Sequence, residues 1–292
     1  MKVKIAGAPI SWGVCEVPGW GHQMEPGRVL REMADLGLAA TEFGPVGFLP
    51  TEPEARAALL KELGMQAIGG FYPILLHDEA KDPIPALEEE LRAYQAAGAE
   101  VLVLAASTGV EGYDDERPVL TEDQWQVMYR NLARASELAE GYVVTAVLHP
   151  HVGTMIESQE DCMRIIENTE TPFCLDTGHM LIGGTDPVEF SKKYGPRIKH
   201  SHLKDVNMSV ATRVQNREIS YYEGVQQGLY TPLGQGDVDV RAIIKNLVAA
   251  GFDGWLALEQ DVVVFSQPAP QDGPVRDAKE CVEFIRQVAA EL

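Results

Sequence analysis

Residues 172–205, PFCLDTGHMLIGGTDPVEFSKKYGPRIKHSHLKD, carry the pattern that decides the fold. FCLD is a short apolar run that ends on Asp176, with TGH behind it, and IKHSHLKD is a second run that ends on His202, Lys204 and Asp205. The segment between them, DPVEFSKKYGPRI, is amphipathic, so the stretch reads strand, helix, strand. Strands joined this way are parallel neighbours, and parallel sheets carry their chemistry beyond the carboxyl ends of the strands. Asp176 and His202, residue types that ligate metals, stand at two such ends.

The same alternation runs outward through the whole chain. Apolar β-rich runs occur eight times, as KIAGAPISW (4–12), AATEFG (39–44), QAIGGFYPI (66–74), EVLVLAAS (100–107), YVVTAVLHP (142–150), PFCLDTGH (172–179), IKHSHLKD (198–205) and GWLALEQD (254–261). Helix-period segments lie between them: RVLREMADLG, EARAALLKELG, LEEELRAYQAAG, WQVMYRNLARASELAEG and VRAIIKNLVAAG. These stop at Gly37, Gly64, Gly98, Gly141 and Gly251, where a left-handed C-terminal cap is expected. VRDAKECVEFIRQVAAEL, after Pro274, supplies a final helix. Near-continuous apolar strands covered by helices imply a parallel sheet buried on both faces, and eight repeats imply closure into a (β/α)8 barrel. Such a barrel takes roughly 250 residues. No linker divides the chain, so residues 1–292 are read as one α/β barrel domain. An open doubly wound sheet is disfavoured, because neither G-x-G-x-x-G after the first strand nor a P-loop is present.

A formal net charge of -20 argues against nucleic acid or an anionic membrane as partner, since phosphates are neutralised by clustered Lys and Arg. Cys15, Cys162, Cys174 and Cys281 form no C-x-x-C pair, which points to reduced packing thiols rather than a zinc knuckle or a disulfide frame. KVKIAGAPISW at 2–12 enters a strand pattern at once, without the apolar region of a signal peptide, and VLVLAA is far short of the roughly 20 residues that span a bilayer. A cytoplasmic protein is expected. Its oligomeric state is left open, a homo-oligomer included.

The polar residues at the strand ends are Ser11 and Trp12, Glu42, Tyr72 with His77, His149 with His151 and Glu157, Asp176 with His179, His202 with Lys204 and Asp205, and Glu259 with Asp261. Taken alone, Glu42, His77, His179 or Asp261 reads as a cap or a satisfied surface group. Acidic and imidazole groups converging on one rim repel unless a cation sits among them, so a metal is the economical explanation. The set expected is Glu157, Asp176, His202 and Glu259, with His149 or His151 the alternative to Glu157. Three carboxylates and one imidazole suit Mn²⁺ best, with Mg²⁺, Co²⁺ or Fe²⁺ also admitted; a structural Zn²⁺ would recruit thiolates, although catalytic Zn²⁺ stays open.

APISWG (8–13), EFGPVGFLP (42–50), HPHVGTMIE (149–157), LDTGHMLIGGTDP (175–187), HSHLKDV (200–206), YTPLGQGDVDV (230–240) and ALEQD (257–261) follow one another in an order that resembles the sugar isomerase/epimerase barrels related to xylose isomerase. The branch resembled most is that of 2-keto-myo-inositol (inosose) dehydratase. The resemblance implies a xylose isomerase-like TIM barrel and a divalent metal held by Glu, Asp, His and Glu, carried over as Glu157, Asp176, His202 and Glu259. Many relatives place the first Glu directly at the end of the fifth strand, where this chain has Leu148-His149-Pro150. Glu157 then acts from the following turn, or a histidine replaces it.

A metal chelating a ketone oxygen and a neighbouring hydroxyl acidifies the α C–H and stabilises the enediolate left by its removal. His149, His151, Glu157 and Glu259 are the candidate bases, and Lys204 either donates to a substrate oxygen or pairs with Asp205. From the enediolate, reprotonation gives an epimer or an isomer, and loss of a β-hydroxyl gives a dehydrated product. Trp12, Trp20, Phe43, Phe71 and Tyr72 are candidate platforms for the C–H face of a sugar, Trp12 and Tyr72 foremost. Residues 207–236, NMSVATRVQNREISYYEGVQQGLYTPLGQG, form a candidate lid with Arg213, Arg217 and Tyr230, of which Arg217 is taken as substrate-binding. Gly234 and Gly236 have no basic residue beside them, which favours an unphosphorylated sugar or cyclitol. The reading from another class is a sugar-binding barrel without catalysis.

Overall fold

Period-2 alternation and the helices between strands produce a closed ring in the computed structural model, which describes residues 3–110 and 116–292. The barrel strands are β1 (Lys4–Gly7), β2 (Ala40–Glu42), β3 (Gln66–Ile74), β4 (Val101–Ala106), β5 (Thr145–Leu148), β6 (Phe173–Asp176), β7 (Ile198–Leu203) and, eighth, β10 (Trp255–Leu258). All pair in parallel, and β1 against β10 closes the ring. β8 (Asp205–Val206) and β9 (Tyr230–Thr231) form a separate antiparallel ribbon above it.

Helices cover the outside: α1 (Pro26–Asp35), α2 (Pro53–Glu62), α3 (Ile84–Ala97), α4 (Glu122–Gly141), α5 (Gln159–Asn168), α7 (Pro187–Tyr194), α10 (Val240–Ala249) and α11 (Pro274–Ala290), with the short α6 (Thr177–Ile182) following β6. Proline at the start of α1, α2, α7 and α11 costs no hydrogen bond there, and Thr121 and Ser158 close capping boxes on α4 and α5. The expected left-handed glycine stop fails once. Gly141 is still helical, and the left-handed position falls two residues later on Val143, φ 61. Residues 207–236 are not irregular: they hold α8 (Met208–Gln215), α9 (Tyr221–Gln226) and β9. Among the described residues no helix is long and apolar enough to cross a membrane.

Outward strand side chains and the inward faces of the helices share one large apolar core. Inside the ring, Ala6, Ala40, Ile68, Trp255 and Ala257 make a separate apolar floor. Continuing five of the eight strands by two residues toward the carboxyl end reaches polar groups: Glu42 after Ala40, His149 after Val147, Asp176 after Cys174, His202 after His200, and Glu259 after Ala257. All five are buried.

The register slips between Thr41 and Glu42, which pair with Ala67 and Gly69, so β3 carries one extra residue opposite β2. Gly69 sits at φ 128, and a Cβ there would lie 1.6 Å from the Val101 carbonyl oxygen. Gly69→Ala is expected to destabilise the fold by more than about 1 kcal/mol. Gly64→Ala, at φ 70 with open space around it, should cost less than Gly69→Ala, only the roughly 1–2 kcal/mol of a left-handed backbone. Thermal melts of the two variants rank them.

Candidate active site

The inward side chains at the strand ends converge on one group: ligand atoms of His149, Asp176, His202 and Glu259 lie within 4.8 Å of one another. Asp176 serves two neighbours at once. Its Oδ1 accepts the Gly178 and His179 amides at 2.9 and 2.7 Å, capping α6, while Oδ2 faces His149 Nε2 at 3.2 Å and His202 Nδ1 at 3.6 Å. His202 donates Nε2–H to Glu42 Oε1 at 2.8 Å, which turns its Nδ1 toward Glu259 Oε2. That Nδ1 and Glu259 Oε2 are buried and lack hydrogen-bond geometry to any partner. A divalent cation held by both would satisfy them, and with Asp176 and His149 beside them the donor set fits a metal.

Beside this group the Lys204 ammonium lies 3.2 Å from Asp176, 3.1 Å from Glu259 and 2.9 Å from Asp261, and donates to His179 Nε2 at 3.0 Å. Tyr221 donates to Asp261 at 2.7 Å and accepts from Tyr230 at 2.9 Å. Burial opposes ionisation of Asp176, but Lys204 and the imidazoles outweigh it and hold the carboxyl well below the usual range. Burial likewise opposes the charge on Lys204, and its three carboxylates hold it well above the usual lysine range. Burial and the positive neighbour Lys204 push His151 and His179 well below the ordinary imidazole range, so both are neutral at neutral pH. Their ring centroids lie 3.7 Å apart, with the planes tilted by 34°. His151 donates Nδ1–H to the Val152 carbonyl at 2.6 Å, which makes Nε2 its acceptor nitrogen.

A cavity of about 270 Å³ opens onto these residues, lined by Glu42, Phe71, His151, Lys204, Tyr221 and Glu259 among others. Trp20, Phe71, Pro73 and Tyr221 also line an outer cavity of about 890 Å³, so the two join. Several residues chosen from the sequence lie elsewhere. Glu157 is not in the ligand group: its carboxylate accepts the Gly153 amide at 2.8 Å and faces Arg117 at 3.4 Å, because it lies on the loop beyond the barrel, and His149 stands in the fourth position. Trp12 is on the 3-10 turn after β1, buried outside the ring, where its indole donates to Glu32 at 2.8 Å. Tyr72 packs on the outer core, since the alternation beyond Gly69 sends Phe71 and Pro73 inward. Arg217 is exposed on the rim of a third cavity, with Arg117 and Glu157. Lys204 does not pair with Asp205, whose carboxylate accepts the Gly234, Gly236 and Val238 amides and so holds the ribbon. Glu42, His179 and Asp261, read singly as caps or surface groups, are buried in the site. His200 and Tyr221 were missed altogether; the i, i+2 spacing of His200 from His202 is the signal that finds the first, and no local pattern marks the second.

Residues 30–288 match the family described as xylose isomerase-like TIM barrel. The chain belongs to that family. It is 30% identical to inosose dehydratase of Geobacillus kaustophilus (strain HTA426), over 99% of this chain and 96% of that protein. It is also 30% identical to the rhizopine catabolism protein MocC of Rhizobium meliloti, over 99% of this chain and 90% of that one. Among solved structures, L-ribulose 3-epimerase superposes with a TM-score of 0.70 at 17% identity, covering 99% and 95% of the two chains. The IOLI protein with a bound zinc atom gives 0.70 at 14% identity, covering 99% of each. These structural likenesses establish the shared barrel. With its full-length relatives, the family makes this chain an enzyme, a dehydratase or an isomerase/epimerase.

Lys204→Met leaves Asp176, Glu259 and Asp261 without their ammonium. Melted in the presence of a chelator, this variant is expected to be less stable than the parent by about 3–5 kcal/mol, the scale for breaking a buried ion pair. An unchanged melt would mean that the carboxylates are neutralised by other means.

Proposed function

We propose that the chain is a divalent-metal-dependent dehydratase of an unphosphorylated cyclitol ketone, with an inosose as substrate. The observation that carries the reading is the buried group of His149, Asp176, His202 and Glu259, of which Glu259 lines a cavity that also holds the neutral His151. Relatives at 30% identity over nearly the whole chain, named for an inosose dehydratase and for rhizopine catabolism, support the substrate class. Two imidazoles and two carboxylates suit Mn²⁺, Fe²⁺, Co²⁺ or catalytic Zn²⁺, and Mn²⁺ remains the ion proposed. His149, Asp176, His202 and Glu259 would hold it, and when bound it supplies Lewis-acid polarisation of the ketone.

The protein's own groups then divide the work. His151, with its proton fixed on Nδ1 by Val152, presents Nε2 as the base for the hydrogen α to the ketone. Lys204, charged and buried, donates to the β-hydroxyl as it leaves. One C–H and one C–O bond break, a C=C bond forms, and water departs. Trp20, Phe71 and Tyr221 frame the mouth and limit access of bulk water to the reacting carbons. The acidic lining, without an arginine, disfavours a phosphorylated substrate.

Asp176→Ala and His202→Ala, purified without chelator, are expected to lose the metal that the parent retains, as read by elemental analysis. His151→Gln should keep it while turning over an inosose about 100-fold more slowly. One equivalent of metal in either ligand variant, at parental affinity, would contradict the ligand set.

Run in D₂O, the reaction should exchange the α hydrogen with solvent, or show a primary isotope effect with α-deuterated substrate. Retention of the label in the product over several turnovers would instead mark an internal hydride shift, and with it an isomerase that needs no base.

A further inference from the structure

Glu42 ends β2, and its carboxylate reaches β7 across the barrel interior, past the two intervening strands β1 and β10. One oxygen, Oε1, accepts Nε2–H from His200 and from His202, each at 2.8 Å. The two rings meet nearly edge to face, at 84° with centroids 5.2 Å apart, so the N–H groups approach that oxygen from different directions. Below lies the apolar floor of Ala6, Ala40, Ile68, Trp255 and Ala257, which offers the carboxylate no polar alternative. A buried carboxylate is a poor choice for packing alone. It is well suited to fixing an imidazole: an ionised carboxylate accepts only, so Glu42 keeps a proton on His202 Nε2 and turns Nδ1 toward Asp176 and Glu259, the nitrogen that would bind a metal in place of any second proton those carboxylates hold there.

We propose that Glu42 and His200 form a cross-barrel clamp that fixes the tautomer and ring orientation of His202, and thereby sets the affinity of the site for its metal. Both are positioning residues. Glu42 acts through His202, and His200 acts through Glu42 by holding its carboxylate from a second side. The assignment extends to this chain the general pairing of a metal-bound histidine with a carboxylate behind it, and it rests on the metal reading above.

The test is a measurement of metal affinity on the full chain, stripped with chelator and reloaded with Mn²⁺ or Zn²⁺ against a fluorescent competitor. Glu42→Gln is expected to weaken binding by about 10–100-fold. In ¹⁵N-histidine spectra of the Zn²⁺-loaded protein, His202 should show a single form with its proton on Nε2 in the parent and more than one form in the variant. His200→Asn should shift both readouts in the same direction by less. Ile68→Val, which thins the floor, should lower the melting temperature and leave affinity and tautomer unchanged. A Glu42→Gln variant that binds within twofold of the parent, with His202 unaltered, overturns the clamp; if that variant does not fold, His200→Asn decides by the same criteria. A parent that binds neither ion at micromolar concentrations would refute the metal reading itself.

Discussion

Four carboxylates, Glu42, Asp176, Glu259 and Asp261, are buried within one end of the barrel, and the active end depends on finding positive or N–H partners for each. Backbone geometry supplies part of the answer: the amides that open α6 point at Asp176 Oδ1. Side chains supply the rest. Lys204 reaches Asp176, Glu259 and Asp261, the imidazoles of His200 and His202 reach Glu42, and Tyr221 reaches Asp261. In an interior where an unpaired charge is strongly disfavoured, these groups constrain one another's positions. That constraint preorganises the charges and donors of the site.

The connection from β7 to β10 is the second device. Asp205, next in sequence to Lys204, ties the ribbon down by accepting three backbone amides. Gly236 permits this approach, since a Cβ there would stand 2.3 Å from the Asp205 carboxylate. With the ribbon fixed, Tyr230 and Tyr221 are brought over the barrel, and the Tyr221 hydroxyl meets Asp261. A segment lacking a sheet pattern of its own therefore takes part in the site through one acid's hydrogen bonds.

Much of this was legible because a strand's side chains alternate with period 2 and a parallel barrel exposes its carboxyl ends. The eight β-rich runs, the helices between them, and Asp176, His202 and Glu259 as strand-end groups followed from pattern alone. The phase of the alternation was harder to read. One extra residue in β3 turns Phe71 inward and Tyr72 outward, and the 3-10 turn at Pro9–Trp12 carries Trp12 out of the ring.

What the sequence by itself determined is the architecture and the inventory of acids and imidazoles, because hydrophobic period and strand-end position are local properties of the chain. Only the tertiary structure decided which of those groups meet. His149 rather than Glu157 stands with Asp176, since a residue at the strand end points into the ring while one on the loop beyond finds Arg117. Glu42 joins His200 and His202 across 158 and 160 positions of sequence, a contact made by ring closure and readable in no local pattern.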